Sequence, residues 1–213
     1  VEVEPLTLRT NDGLALEAEL VVPDFPVAGA VLTHPHPRHG GNMRSMVPGE
    51  LITALPSIDV ATLRFNFRGM GASEGTFENG VGERLDTIAA VGTLFELVEG
   101  LPLVVCGSSF GADTALTVDD ERISAWCALA PPLRDERFDQ MANVARSAKP
   151  KHLVVADRDK IRSADAAAEL TKGWNNTSIH TVSGADHFFV GRIDEAIASC
   201  VGFVSDLTQS PPE

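Results

Sequence analysis

Leu101-Pro102-Leu103-Val104-Val105-Cys106-Gly107-Ser108-Ser109-Phe110-Gly111 is the stretch around which the rest of the chain arranges itself. The apolar run Leu101–Val105 predicts a buried strand. The Gly-x-Ser-x-Gly spacing at Gly107, Ser109 and Gly111, leading into a helical segment, predicts a tight strand-to-helix turn with Ser109 at its apex. Glycines two positions either side let the helix pass close over the strand, and the strained turn lifts the hydroxyl clear of its neighbours. A pattern with three fixed positions recurs by chance in many chains, so its meaning depends on what surrounds it.

The 213 residues suit one α/β domain over 1–213, with 209–213 expected as a frayed tail. A composition that is 44% hydrophobic and 22% charged supplies a substantial core. The formal net charge of -13 disfavours nucleic acid or an anionic membrane as partner, because both would repel it. Cys106, Cys127 and Cys200 sit in apolar surroundings without CxxC spacing and read as structural thiols. No basic-then-apolar leader and no membrane-length apolar run is seen, so the expected setting is cytoplasmic.

Residues 6–10 and 14–22, joined by Asn11-Asp12-Gly13, predict an antiparallel hairpin. Ala28–Thr33 predicts a strand buried on both faces, and 59–67 another. Later strands are expected at 123–129, 152–156 and 179–182. Helices are expected at 46–55, 80–98, 110–118, 138–148, 164–170 and 193–207. Strands alternating with helices after an antiparallel start indicate a mostly parallel sheet of about eight strands with helices on both faces.

Two other motifs can be set aside. Arg68-Gly69-Met70-Gly71-Ala72-Ser73-Glu74-Gly75 follows a strand but carries Glu74 where a dinucleotide fingerprint needs its third glycine. His34, His36 and His39 are loosely spaced, lack nearby cysteine or carboxylate, and are restrained by prolines, so neither metal nor other cofactor is expected. A backbone role fits that loop better. Pro35 and Pro37 lack amide hydrogens and leave His36 as the one main-chain donor among them, suited to an oxyanion. The amide of Phe110, next after the serine, is the expected second donor.

A serine hydroxyl needs a histidine base, and that histidine needs a carboxylate to fix its tautomer. His187 follows the last strand and is the expected base. Asp157 and Asp159 both follow the strand at 152–156. Asp157 abuts the strand and is placed to bind loop amides, whereas Asp159 lies further out and is preferred on reach. The order Ser, Asp, His is then that of an open α/β sheet with its site at the strand ends.

The elbow, His34-Pro35-His36-Pro37 with Gly40-Gly41, Arg64-Phe65-Asn66-Phe67-Arg68-Gly69-Met70-Gly71-Ala72-Ser73, and Ala185-Asp186-His187 together resemble the α/β-hydrolase superfamily. They are most similar to a small capless bacterial branch like the dienelactone hydrolase-like esterases. The resemblance implies the α/β-hydrolase fold without a large cap, since only Pro131 to Lys149 is available for one. It implies Asp159 as the acid, fourth in a Gly-x-x-Asp loop whose glycine position is here Ala156, and a structural role for the 68–75 loop. A shallow cleft lined by Met43, Leu133 and Phe188, with Phe110 and Phe189 as further candidates, suits a small-molecule ester of short acyl chain. The expected activity is that of a serine carboxylesterase. A thioesterase, lactone hydrolase or peptidase would use the same groups, and a non-catalytic binding module is the alternative of another class.

Overall fold

A computed structural model of the chain describes residues 2–209. Eight strands form one sheet: β1 (Glu4–Arg9), β2 (Ala15–Val21), β3 (Ala28–Thr33), β4 (Val60–Phe65), β5 (Leu103–Ser108), β6 (Ala125–Leu129), β7 (Lys151–Ala156) and β8 (Thr177–Val182). Their order is β1-β2-β4-β3-β5-β6-β7-β8. β1 pairs antiparallel with β2, and β2 with β4; every pairing from β4 onward is parallel. The hairpin closes through Gly13, whose φ of 94° only a residue without Cβ adopts freely. β3, β5 and β6 are buried at every residue, as their continuous apolar sequences require.

The helices are α1 (Met46–Ala54), α2 (Val81–Leu97), α3 (Phe110–Leu116), α4 (Asp135–Phe138), α5 (Ala142–Arg146), α6 (Ala164–Thr171) and α7 (Ile193–Gln209). Successive β5 residues serve opposite layers, as the two-residue period of a strand dictates. Leu103 and Val105 join the core built with α2 and α3, whereas Val104 and Cys106 join the core built with α1 and α7. Helices thus cover both faces, and the loops after β3, β5, β7 and β8 meet at one end of the sheet, where open α/β sheets carry their sites. No helix among the described residues is long and apolar enough to cross a membrane.

Several expected boundaries shift by a residue or two, β6 and β8 among them, and three shifts have a visible cause. The helix expected over 138–148 begins at Asp135 and is interrupted by a tighter 3-10 turn at Asp139–Met141, with the buried Met141 and Val144 three residues apart on its inner side. The strand expected over 59–67 is shorter, because Asp59 takes a left-handed φ of 59° that ends the preceding turn. Gln209 closes α7 instead of opening a tail, since the stripe Ala196, Cys200 and Val204 packs on the sheet and no proline intervenes before Pro211. The remainder of the expected tail, 210–213, lies outside the described residues.

Candidate active site

Ser109 stands between β5 and α3 with φ 53° and ψ -119°, a strained conformation for a residue with a Cβ. Neighbouring bonds hold it there: its NH donates to Leu129 O at 2.9 Å, and its carbonyl accepts from Asp113 N at 3.1 Å. The flanking glycines have measurable reasons. A Cβ at Gly107 would lie 2.6 Å from Gly111 O, and one at Gly111 would lie 2.6 Å from His34 O. Both are closer than packed atoms approach, so either side chain would push α3 off the sheet.

His187 lies in the loop after β8, folded by a neighbouring carboxylate. Asp186 accepts the Phe188 and Val190 amides at 3.1 and 3.0 Å, turning the chain so that Phe188 faces out while Phe189 is buried. His187 Nε2 comes 2.8 Å from Ser109 Oγ, and its Nδ1 comes 2.7 Å from Asp159 Oδ2. The other Asp159 oxygen accepts the amides of Ile161 at 2.7 Å and Arg162 at 3.2 Å. Burial alone would favour the neutral acid, but His187 and these two amides outweigh it and hold Asp159 below the usual carboxylate range. Asp157 instead accepts Gly184 N at 2.7 Å, tying the aspartate loop to the histidine loop. Of the two aspartates left open by their position after the strand, Asp159 therefore meets the imidazole.

Ser109 opens onto a bilobed cleft. The larger lobe, ≈ 390 Å³, is walled by Gly41, Met46, Val47, Phe188 and Val190; the smaller, ≈ 100 Å³, by His36, Phe110, Pro132, Arg134 and Ile161. Ser109, His187 and Phe188 border both. The amides of His36 and Phe110 donate to no backbone acceptor among the described residues and remain available to a ligand. Gly41 closes the His36 loop through a 3.1 Å bond to His36 O, and a Cβ there would fall 2.1 Å from Pro35 O. Burial first, and then the neighbouring His39 and the positive charges of Arg134, Arg137 and Arg38, push the His36 imidazole down to about 4. His34 is a core residue: its Nε2 accepts Phe67 N at 3.0 Å, and burial takes it to about 4.

Met43 and Leu133 do not line the cleft. Met43 is 1% exposed, its NH held by Asn66 Oδ1 at 2.9 Å, and Leu133 is fully buried in the core. The reason for Leu133 is Asp113, which accepts its NH at 2.8 Å and draws the chain onto α3 at a φ of 48°, turning the side chain inward. Phe188 is the lining candidate that does reach the cleft, 64% exposed, while Phe189 anchors its loop in the core. Sequence reading passed over Met46, Val190, Ile161 and Arg134, which border the cleft, and over Asp113 and Arg162, which shape it. Asp113 carried a signal, being the one charge in the otherwise uncharged buried helix Phe110-Gly111-Ala112-Asp113-Thr114-Ala115-Leu116.

A serine at a strained turn, in line with a histidine and a carboxylate at the ends of parallel strands, is the arrangement that defines an α/β hydrolase. Comparison with known proteins agrees: residues 30–198 match the alpha/beta hydrolase domain family, and the chain belongs to it. A curated uncharacterized protein of Rickettsia prowazekii is 33% identical, with 84% of this chain and 78% of that protein covered. Among solved structures, an alpha-beta serine hydrolase homologue from Coxiella burnetii is 30% identical over 94% of this chain and 97% of that one, with a TM-score of 0.85. A serine hydrolase without lid from Xanthomonas campestris superposes with a TM-score of 0.87 over 100% of this chain and 98% of that one; at 24% identity it speaks to the fold alone. Membership of this family supports hydrolytic chemistry.

Proposed function

We propose that the protein is a serine ester hydrolase of the carboxylesterase type, acting on small esters of short acyl chain through Ser109, His187 and Asp159. The observation that carries this reading is the continuous hydrogen-bond line from Ser109 Oγ through both ring nitrogens of His187 to Asp159, at 2.8 and 2.7 Å. Ser109 Oγ attacks the ester carbonyl carbon while His187 Nε2 takes its proton; Asp159 stays ionised and stabilises the imidazolium. The carbonyl oxygen, now negative, receives the His36 and Phe110 amides. As the C–O bond breaks, the imidazolium passes its proton to the departing alcohol, leaving Ser109 acylated. Water then attacks the acyl carbon, gives a proton to His187, and releases the acid as Ser109 recovers its hydrogen.

The small lobe beside Ser109, at ≈ 100 Å³, favours short acyl groups. Turnover of 4-nitrophenyl acetate by the protein and its loss in Ser109→Ala are the expected results. Full activity in the folded variant would exclude Ser109 as nucleophile.

A further inference from the structure

The small lobe is built around a strained and doubly clamped segment. Ala130 and Leu133, neither of them glycine, take left-handed φ values of 46° and 48° at either end of Pro131-Pro132. Asp113, on the helix that follows the nucleophile, accepts the amides of Leu133 at 2.8 Å and Arg134 at 3.2 Å. From the opposite side Arg162, three residues beyond Asp159, donates to the carbonyls of Pro132 at 2.8 Å and Leu133 at 3.1 Å. Strain of this kind persists only where the surroundings over-determine it, and it gathers at ligand sites. What the clamp holds in place is Arg134, whose residue borders the small lobe beside Ser109 and His187.

The Arg134 guanidinium makes no hydrogen bond or ion pair among the described residues, although Asp135 and Glu136 follow it directly. Two more arginines reinforce its field. Arg137 is 5% exposed and stacks 4.3 Å from the Phe110 ring centroid, donating to Asn79 O and Thr114 Oγ1 and to no carboxylate. Arg38 lies 4.8 Å from the Phe77 ring centroid, also without an ion-pair partner among the described residues. In a chain of net charge -13, Arg134, Arg137 and Arg38 all act on His36 at the side of the cleft that meets the oxyanion amides, with Asp113, Glu83 and Glu136 as the carboxylates facing Arg137 from behind. The other lobe is walled by Met46, Val47, Phe188 and Val190, with no lysine or arginine among its lining residues and His39 shared at the border of both lobes.

We propose that the small lobe is an anion subsite with Arg134 as its ligand, so that preferred substrates are short esters carrying a carboxylate near the scissile carbonyl. This deepens the serine ester hydrolase reading and rests on it for turnover. A planar guanidinium that feels the Asp113 charge but hydrogen-bonds no carboxylate suits a ligand carboxylate, and a lobe of ≈ 100 Å³ admits a short charged arm and excludes a long acyl chain.

The test compares kcat/KM for charged and neutral esters in two arms, at low and at high salt. Monoethyl succinate against ethyl butyrate puts the carboxylate on the acyl side; 4-carboxyphenyl butyrate against phenyl butyrate puts it on the alcohol side. In one arm the charged-to-neutral ratio should exceed one at low salt, shrink at high salt, and fall about tenfold in Arg134→Gln. Arg146→Gln, which removes an equal charge from an exposed helix outside both lobes, should leave that ratio unmoved. A ratio indifferent to Arg134→Gln in both arms overturns the subsite while leaving the hydrolase reading intact. Should no ester be turned over, the hydrolase reading fails. The subsite is then tested by calorimetric binding of monoethyl succinate to Ser109→Ala protein, where affinity equal to that of Ser109→Ala/Arg134→Gln overturns it.

Discussion

Two buried polar constellations sit at the same end of the same sheet, and they differ in what they leave unsatisfied. Beyond β4, Arg68 is 1% exposed and its guanidinium is consumed: Nε and Nη2 donate to Asp86 at 3.0 and 2.8 Å, and Nη1 donates to Asp12 at 3.0 Å and Glu78 at 3.1 Å. Even the space around it is closed, since a Cβ at Gly82 would fall 2.3 Å from Nη1. Beyond β5, by contrast, Ser109 is strained and faces an open cleft beside two unengaged amides. A network with every valence satisfied holds the structure, whereas one with directed vacancies is available for chemistry. Glycine content does not draw this distinction, since 68–75 carries three glycines and 107–111 two; the two stretches differ in charge, Arg68 and Glu74 having no counterpart in the elbow.

The contrast breaks if the two sites respond alike to substitution. The largest expected effect is on turnover: Ser109→Ala or His187→Ala should lower kcat about 10⁴-fold or more, and Asp159→Asn should approach that loss by leaving the imidazole in the wrong tautomer. Chemical denaturation should show Ser109→Ala to be as stable as the parent. Ser109→Gly should be more stable by about 1 kcal/mol, because glycine relieves the positive φ.

At the closed site the pattern inverts. Arg68→Met leaves Asp86 buried without its partner and should cost about 3–5 kcal/mol in urea unfolding, while the molecules that remain folded keep their kcat. Loss of kcat without loss of stability would place Arg68 in the chemistry and erase the distinction. A smaller effect is expected at the clamp between the two. Asp113→Ala strands the Leu133 and Arg134 amides and should cost about 1–3 kcal/mol.

The smallest effects concern pH, and their signs differ. Asp159 is held below its ordinary value, so its contribution to stability is present above the normal carboxylate range and is lost as pH falls through its folded value. Asp113 runs the other way. Burial raises it to about 6 despite the two amides, so the folded state binds the extra proton and stability declines as pH rises from about 4 to about 6. Urea midpoints across that window should fall with pH in the parent and fall less in Asp113→Asn. For turnover, a histidine base must be neutral to accept the Ser109 proton, so kcat/KM should drop on the acidic side. The core residue His34 and the cleft neighbour His36 are both held at about 4, so a limb well above that value does not come from them. A kcat/KM that does not fall at all on the acidic side would count against His187 as base.

How much of this was legible in the chain depends on how local the cause was. Strand and helix positions followed from apolar period and turn residues, and Ser109 and His187 from their order after strands, all properties of short segments; that order left Asp157 and Asp159 open, and reach and the family resemblance favoured Asp159. Met43 and Leu133 misled because an apolar residue beside a site looks the same in sequence whether it faces inward or outward. Their direction is set by Asn66 and by Asp113, 23 and 20 residues away. The same non-locality hid the clamp: nothing near Arg162 announces that it binds carbonyls some 30 residues earlier. The helix at 138–148 is broken by a 3-10 turn at Asp139–Met141 that helical period does not reveal, since Met141 and Val144, three apart, share a buried face in either helix type.

The central claim is that Ser109 alone among the hydroxyls is activated, and covalent labelling tests it most directly. A fluorophosphonate incubated with the native protein should add one phosphonyl group, read by intact mass, with peptide mapping placing it on Ser109. Ser109→Ala should take up none. Native protein that stays unlabelled while folded, or a Ser109→Ala variant labelled to the same extent, would contradict the account.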